Sequence, residues 1–184
     1  MTRPARAAAP ALVIGVGNAL RGDDAAGLVV AGHIRALGPP GVEVVEHQGD
    51  PVSLMDTWSH RDSVYLVDAV VADGTPGSVH RFDPVSSPLP ALFGRRGTHG
   101  AGVAEAIELA RVLGLLPPHL TVYGIAGSSF VPGADLSPAV SRAVTEVCVQ
   151  LLRELPAQAG GAPVVPRGQR PGQGTRAHGP TAGG

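Results

Sequence analysis

The sequence predicts an α/β protein built on a largely parallel sheet with helices on both faces. Three observations carry this. Short apolar runs and segments of helical periodicity alternate along most of the chain. The first run, Ala11 to Val16, is continuously apolar, as expected of a strand buried on both faces. It breaks at Gly15-Val16-Gly17-Asn18 and passes through a short polar turn to two adjacent acids, Asp23 and Asp24, ahead of an amphipathic segment. That order reads as strand, tight glycine turn, acid-bearing loop and helix. In open α/β sheets ligands bind just beyond the carboxyl ends of the strands.

In chain order, residues 1–10 are expected to be a flexible arm. Asp24 to Leu37 reads as a helix with Leu28, Val29, Ile34 and Leu37 on a shared face, stopped by Gly38-Pro39-Pro40-Gly41. Val42 to Glu46 is a short strand, and Pro51 to Trp58 a short helix after Gly49-Asp50. Ser63 to Val67 is strongly β-prone and ends at Asp68. Asp73-Gly74-Thr75-Pro76-Gly77 is a turn leading to a strand over Ser78 to Phe82. The stretch Asp83 to Gly97, rich in Pro, Ser and Arg, reads as an irregular excursion. After Thr98-His99-Gly100 a helix runs from Ala101 to Leu113, with Val103, Ile107, Ala110 and Leu113 at helical spacing. Leu120 to Ile125 is the last strand. The last helix has Ser137 as N-cap and Pro138 at its first position, with a stripe of Val140, Val144, Val147, Leu151 and Leu155. From Pro156 the chain is Gly, Pro, Ala and Gln with scattered Arg, expected to be a disordered tail over 156–184. One folded domain over 11–155 remains.

Composition excludes several classes of function. A formal net charge of -1 gives no electrostatic footprint for nucleic acid or an anionic membrane. No apolar run approaches the roughly 20 residues of a membrane span. The single cysteine, Cys148, excludes an internal disulfide and a cysteine-cluster metal site. It fits a reducing compartment, so a cytoplasmic protein, acting as a monomer, is expected. Arg3 and Arg6 followed by Ala7 to Val16 imitate a signal peptide. That run leads straight into the glycine turn, however, and cleavage there would remove the first strand, so secretion is not expected.

Right-handed crossovers place the strand-to-helix loops on one edge of such a sheet. Asp24 after the first strand, Asp68 at the end of the third, and His99 ahead of a helix can then meet along one rim. Two carboxylates and one imidazole suit a divalent ion such as nickel or zinc, held by three protein groups with positions left open. The ligands bind deprotonated, so affinity falls in acid. The residues alone leave plainer readings open. Asp23 and Asp24 can serve as a helix cap at its positive end, Asp68 as a turn former, and His99 as a packing residue. The glycine turn is a weak sign of nucleotide binding, because Leu20 stands where the third glycine of the dinucleotide fingerprint belongs and no phosphate-loop pattern occurs. Cys148 shares a helix with Val144, Val147 and Leu151 and reads as core. Ser128 and Ser129 follow a strand without the nucleophile-elbow pattern. His33, His47, His60, His80, His119 and His178 are given no role, and Trp58 reads as a packing residue rather than a stacking platform.

The ordered motifs resemble the hydrogenase maturation endopeptidases, which finish the large subunit of nickel–iron hydrogenases. That family opens with a strand and a GxGNxLxxD[DE]xxG pattern, met here by Gly15-Val16-Gly17-Asn18-Ala19-Leu20-Arg21-Gly22-Asp23-Asp24-Ala25-Ala26-Gly27. A strand ending in D-A follows as Val67-Asp68-Ala69, a histidine segment before a helix as Thr98-His99-Gly100-Ala101-Gly102, and a final helix start as Leu136-Ser137-Pro138. The resemblance spans roughly residues 11–155. It implies a three-layer α/β/α sandwich with a twisted, mostly parallel sheet. It also implies a metal-contacting triad, which carries over to Asp24, Asp68 and His99. Asp24 stands where many members have Glu, and Gln48-Gly49-Asp50-Pro51 departs from a commoner Gly-Gly-Thr form. The implied activity is removal of a C-terminal peptide from a nickel-loaded large-subunit precursor, with the nickel supplied by that precursor. The alternative is a non-catalytic accessory protein of the same fold that binds nickel or a nucleotide.

Overall fold

The computed structural model describes residues 9–71, 74–90 and 97–155, with the backbone alone over 97–101. The expected arm lies almost wholly outside the described residues, and the expected tail lies entirely outside them. The described elements are β1 (Ala11–Val16), a 3₁₀ turn (Gly22–Ala25), α1 (Ala26–Leu37), β2 (Val42–His47), α2 (Pro51–Trp58), β3 (Ser63–Val70), β4 (Val79–Phe82), α3 (Gly97–Leu113), β5 (His119–Ala126) and α4 (Pro138–Glu154). They form one sheet in the order β2-β1-β3-β5-β4. All neighbours are parallel except β4, which runs antiparallel to β5. The connection over 71–78 is too short for a crossover, which needs about a dozen residues, so the chain turns back on the rim where β3 ends.

Alternation along the strands feeds two cores. Ala11 and Val13 of β1 and Val67 and Ala69 of β3 pack against α1 and α4, with Ile34, Val144 and Leu151 among the buried partners. Leu12, Ile14, Leu66 and Val70 face the opposite way, toward α2 and α3, and pack with Leu54, Trp58, Val103 and Ile107. This is the three-layer arrangement expected. Among the described residues no helix is long and apolar enough to cross a membrane.

Several sequence expectations shift. The first helix begins at Ala26 rather than Asp24, because the two acids lie on the 3₁₀ turn. Its buried stripe is Ala26, Gly27, Val30, Ala31 and Ile34, while Leu28 and Val29 are half-buried and Leu37 is exposed. The phase is set by Gly27, where a Cβ would lie 2.3 Å from the carbonyl oxygens of both Val16 and Val67. Gly15 meets it from the strand side, a Cβ there lying 2.2 Å from the Gly27 carbonyl oxygen. Helix α1 therefore sits directly on β1 and β3 at their carboxyl ends, and the atoms in the way are backbone. Gly27→Ala is expected to destabilise by about 3 kcal/mol, read as a lower urea midpoint with an unchanged slope.

Strand β3 continues to Val70, so Asp68 lies within it rather than at its end, and α3 starts at Gly97 rather than Ala101. His99 is thus on the first turn of the helix. The cap of α4 is as expected, with Pro138 at its start and the Ser137 side chain accepting from the Val140 amide.

Candidate active site

The strand order reverses between β1 and β3. The chain leaves β1 for β2 on one side, and β3 lies on the other. At such a switch point the loops diverge and leave a crevice at the carboxyl edge. The glycine motif after β1 shapes this crevice. Gly17 has a positive φ of 150°, and a Cβ on it would fall 1.9 Å from the Asp24 carbonyl oxygen. The Gly17 amide donates to the His47 carbonyl at 3.1 Å, and the Asn18 amide to the Asp24 carbonyl at 3.2 Å. The Asn18 side chain accepts from the Leu20 amide at 2.9 Å, folding the polar turn on itself. The loop therefore closes around Asp24 instead of opening its amides to a ligand.

Asp24 is buried. Neither it nor Asp23 caps α1, whose N-cap is Ala25 with no side-chain hydrogen bond. Asp68 is buried in β3, and neither of its carboxylate oxygens has a hydrogen-bond partner among the described residues. In the sheet register Asp68 stands beside Gly124 of β5, which adds no side chain on that flank. Burial first, and the Asp24 charge second, push the Asp68 acid well above its ordinary 3.8. The Ala69 amide pulls the other way without reaching hydrogen-bond geometry. An unpaired buried carboxylate beside a second one is costly by itself. It is the donor set expected where a cation is to be received.

The structure brings Asp24 and Asp68 together. It places the backbone of His99 on the first turn of α3, which covers the same sheet face as Asp68. The start of that helix packs on the rim, since a Cβ on Gly102 would lie 1.9 Å from the Gly49 carbonyl oxygen, just beyond β2. The His99 side chain lies outside the described residues. Among the described residues no group of three or more His, Cys, Asp or Glu side chains is placed to hold a metal ion. His47, which the sequence left without a role, holds the loop before α2. Its Nδ1 accepts from the Gly49 amide at 2.8 Å, so Nε2 carries the hydrogen shared with Ser53 Oγ at 3.0 Å. Burial lowers the His47 pKa, against the pull of Asp50.

Sequence reasoning missed Asp23. Its carboxylate accepts from the Ser137 amide at 2.7 Å, the Ser128 amide at 2.8 Å and the Ser129 amide at 2.9 Å, and from the Ser128 and Ser137 hydroxyls at 3.1 Å each. Burial alone would raise this acid, but those donors outweigh it and hold Asp23 below its ordinary 3.8. Ser128 is thereby accounted for, since its hydroxyl serves a carboxylate rather than a histidine. Cys148 is buried in the core between α1 and α4, as expected, and burial raises its thiol.

A three-layer α/β protein with two buried acids at the sheet's switch point is the class that fold and site define. A family model described as hydrogenase maturation protease matches residues 30–154, and the chain belongs to that family. Its members are endopeptidases, so the protein is a peptide-bond hydrolase. The chain is similar to the hydrogenase maturating endopeptidase HybD from Escherichia coli, at 28% identity and a TM-score of 0.67, covering 79% of this chain and 91% of that one. It is also similar to an endopeptidase from Escherichia coli whose structure was solved in solution, at 27% identity and a TM-score of 0.68, covering 78% of this chain and 90% of that one. The [NiFe] hydrogenase maturation protease HybD from Thermococcus kodakarensis shares the fold, at 21% identity and a TM-score of 0.61, covering 80% and 99%. No curated protein matches the chain significantly.

Proposed function

We propose that this protein removes the C-terminal peptide from the nickel-loaded precursor of a nickel–iron hydrogenase large subunit, and that Asp24, Asp68 and His99 engage the nickel the precursor carries. The observation that carries this reading is the buried Asp68 carboxylate, without a hydrogen-bond partner among the described residues and set beside Asp24 in a chain of this family. The metal bound to the substrate supplies a recognition handle and Lewis acidity at the scissile bond. The alternative role for an acid of this rim, in place of holding the metal, is that of a general base toward the attacking water.

A cleft of about 350 Å³ lined by Gly17, Asn18, Leu20, Leu28 and His47 adjoins the loop around Asp24, and it is the proposed seat for part of the substrate peptide. The proposed setting is the cytoplasm, with the protease working as a monomer and without nucleic acid or membrane; the net charge of -1 and the one buried cysteine support that setting.

Metal binding separates this reading from its alternatives. Cadmium or nickel titrated into the purified protein is expected to bind more tightly as pH rises from 5 to 8, because both acids must lose their protons and His99 must be neutral. Affinity independent of pH would contradict the triad. A nucleotide that raises the melting temperature while these metals do not would favour the nucleotide-binding alternative. The amides of Gly17 and Asn18, already bonded within the fold, argue against it. Retarded migration of the large subunit without shortening would favour a non-catalytic accessory role.

A further inference from the structure

We infer that Asp23, the first acid of the adjacent pair, is a positioning residue that welds the loop bearing Asp24 to the β5–α4 connection and so fixes Asp24 beside Asp68. Both oxygens of Asp23 are filled. Oδ1 takes the Ser137 amide, and Oδ2 takes the amides of Ser128 and Ser129 and the hydroxyls of Ser128 and Ser137. The bond is returned by the Asp23 amide, which donates to the Ser129 carbonyl at 2.8 Å. A further strut runs from the Gly133 amide to the Leu20 carbonyl, also at 2.8 Å. Contact is close enough that a Cβ on Gly22 would lie 2.7 Å from the Ser129 carbonyl oxygen. Two loops more than a hundred positions apart are thereby one block.

Asp24 sits at the centre of that block. Its amide donates to the Arg21 carbonyl and its carbonyl accepts from the Asn18 amide, each at 3.2 Å. These are long bonds, and the Asp23 clamp next to them holds the turn in place. Asp23 itself is fully buried, and both of its oxygens are engaged by donors of the β5–α4 connection. Only a carboxylate satisfies the site. An asparagine placed either way round would turn its NH₂ against at least one backbone N–H, because both oxygens receive backbone donors.

Hydrogen exchange on the full chain tests this. In Asp23→Asn the amides of Asn18 and Asp24 are expected to exchange at least about tenfold faster than in wild type, with those of Val30 and Ile34 in α1 unchanged. Leu151→Ala, which opens the core between α1 and α4, is expected not to single out Asn18 and Asp24. Should Asp23→Asn fail to fold, the double variant Ser128→Ala/Ser137→Ala removes two donors and keeps the backbone ones, and is expected to speed the same two amides by about threefold. Unchanged protection of Asn18 and Asp24 in the folded variant tested would overturn the clamp. The consequence for catalysis rests on the proposed function. Asp23→Asn, assayed well below its melting temperature, is expected to process the nickel-loaded precursor at least about 30-fold more slowly, with Ser128→Ala within about threefold of wild type. Wild-type processing rates in Asp23→Asn would remove the positioning role. A wild-type protein that processes no precursor, with the exchange contrast intact, would instead refute the proposed function and leave the clamp standing.

Discussion

Asp68→Asn is expected to stabilise the metal-free protein at neutral pH and to abolish processing, a rise in melting temperature coupled to loss of function. The side chain is buried, both of its oxygens lack partners among the described residues, and the Asp24 charge lies nearby. The amide escapes the linkage cost of a carboxyl that ionises freely in the unfolded chain and is held protonated in the folded one. The sign with pH follows from the raised acid. Above its ordinary 3.8 the unfolded chain gives up the proton while the folded one keeps it, so the folded state binds more protons and stability falls as pH rises. The advantage of Asp68→Asn is therefore expected to be small below pH 3.8 and to grow upward through the raised pKa. Thermal melts of both proteins across that range check it, and a variant that melts lower at pH 7 would contradict the assignment. Loss of processing follows because an amide is a far poorer partner for a divalent ion and takes up no proton from water.

His99→Ala is expected to slow processing by at least about a hundredfold and to leave folding intact. The residue stands on the first turn of α3, whose hold on the sheet comes from Val103, Ala106, Ile107 and Ala110 further along. Deleting an imidazole at the helix start leaves that packing in place. The melting temperature is expected to stay within a few degrees of wild type, because the α3 residues that pack on the sheet are unchanged. Cadmium affinity is expected to fall with activity. A variant that processes precursor normally would remove His99 from the site, and one that loses activity only by unfolding would give it a structural role.

Much of the architecture was legible because it rests on local signals. The apolar run of β1, the β-prone run of β3 and the cap of α4 at Ser137-Pro138 each name their element, and their alternation fixes the layers. The phase of α1 was not legible from apolar spacing, because Gly27 rather than a leucine is the residue pressed onto the strands. A glycine buries backbone and leaves no hydrophobic mark. The placement of Asp24 and Asp68 at one rim follows from crossover handedness, and the structure puts them there. The partner of Asp23 was hidden, because its donors come from Ser128, Ser129 and Ser137, brought in by the tertiary fold. One signal was available in retrospect. Hydroxyl residues clustered after a terminal strand, in a chain whose first loop holds two adjacent acids, offer donors to whichever acid is not used as a ligand.

The proposed function is tested most directly by the intact mass of the large subunit of a candidate hydrogenase, incubated with the wild-type protein and with Asp24→Ala and His99→Ala. Loss of one C-terminal peptide from the nickel-loaded precursor, seen with wild type, absent with either variant and absent when nickel is withheld, is the expected result. Equal shortening by wild type and both variants, or shortening that proceeds without nickel, would contradict it.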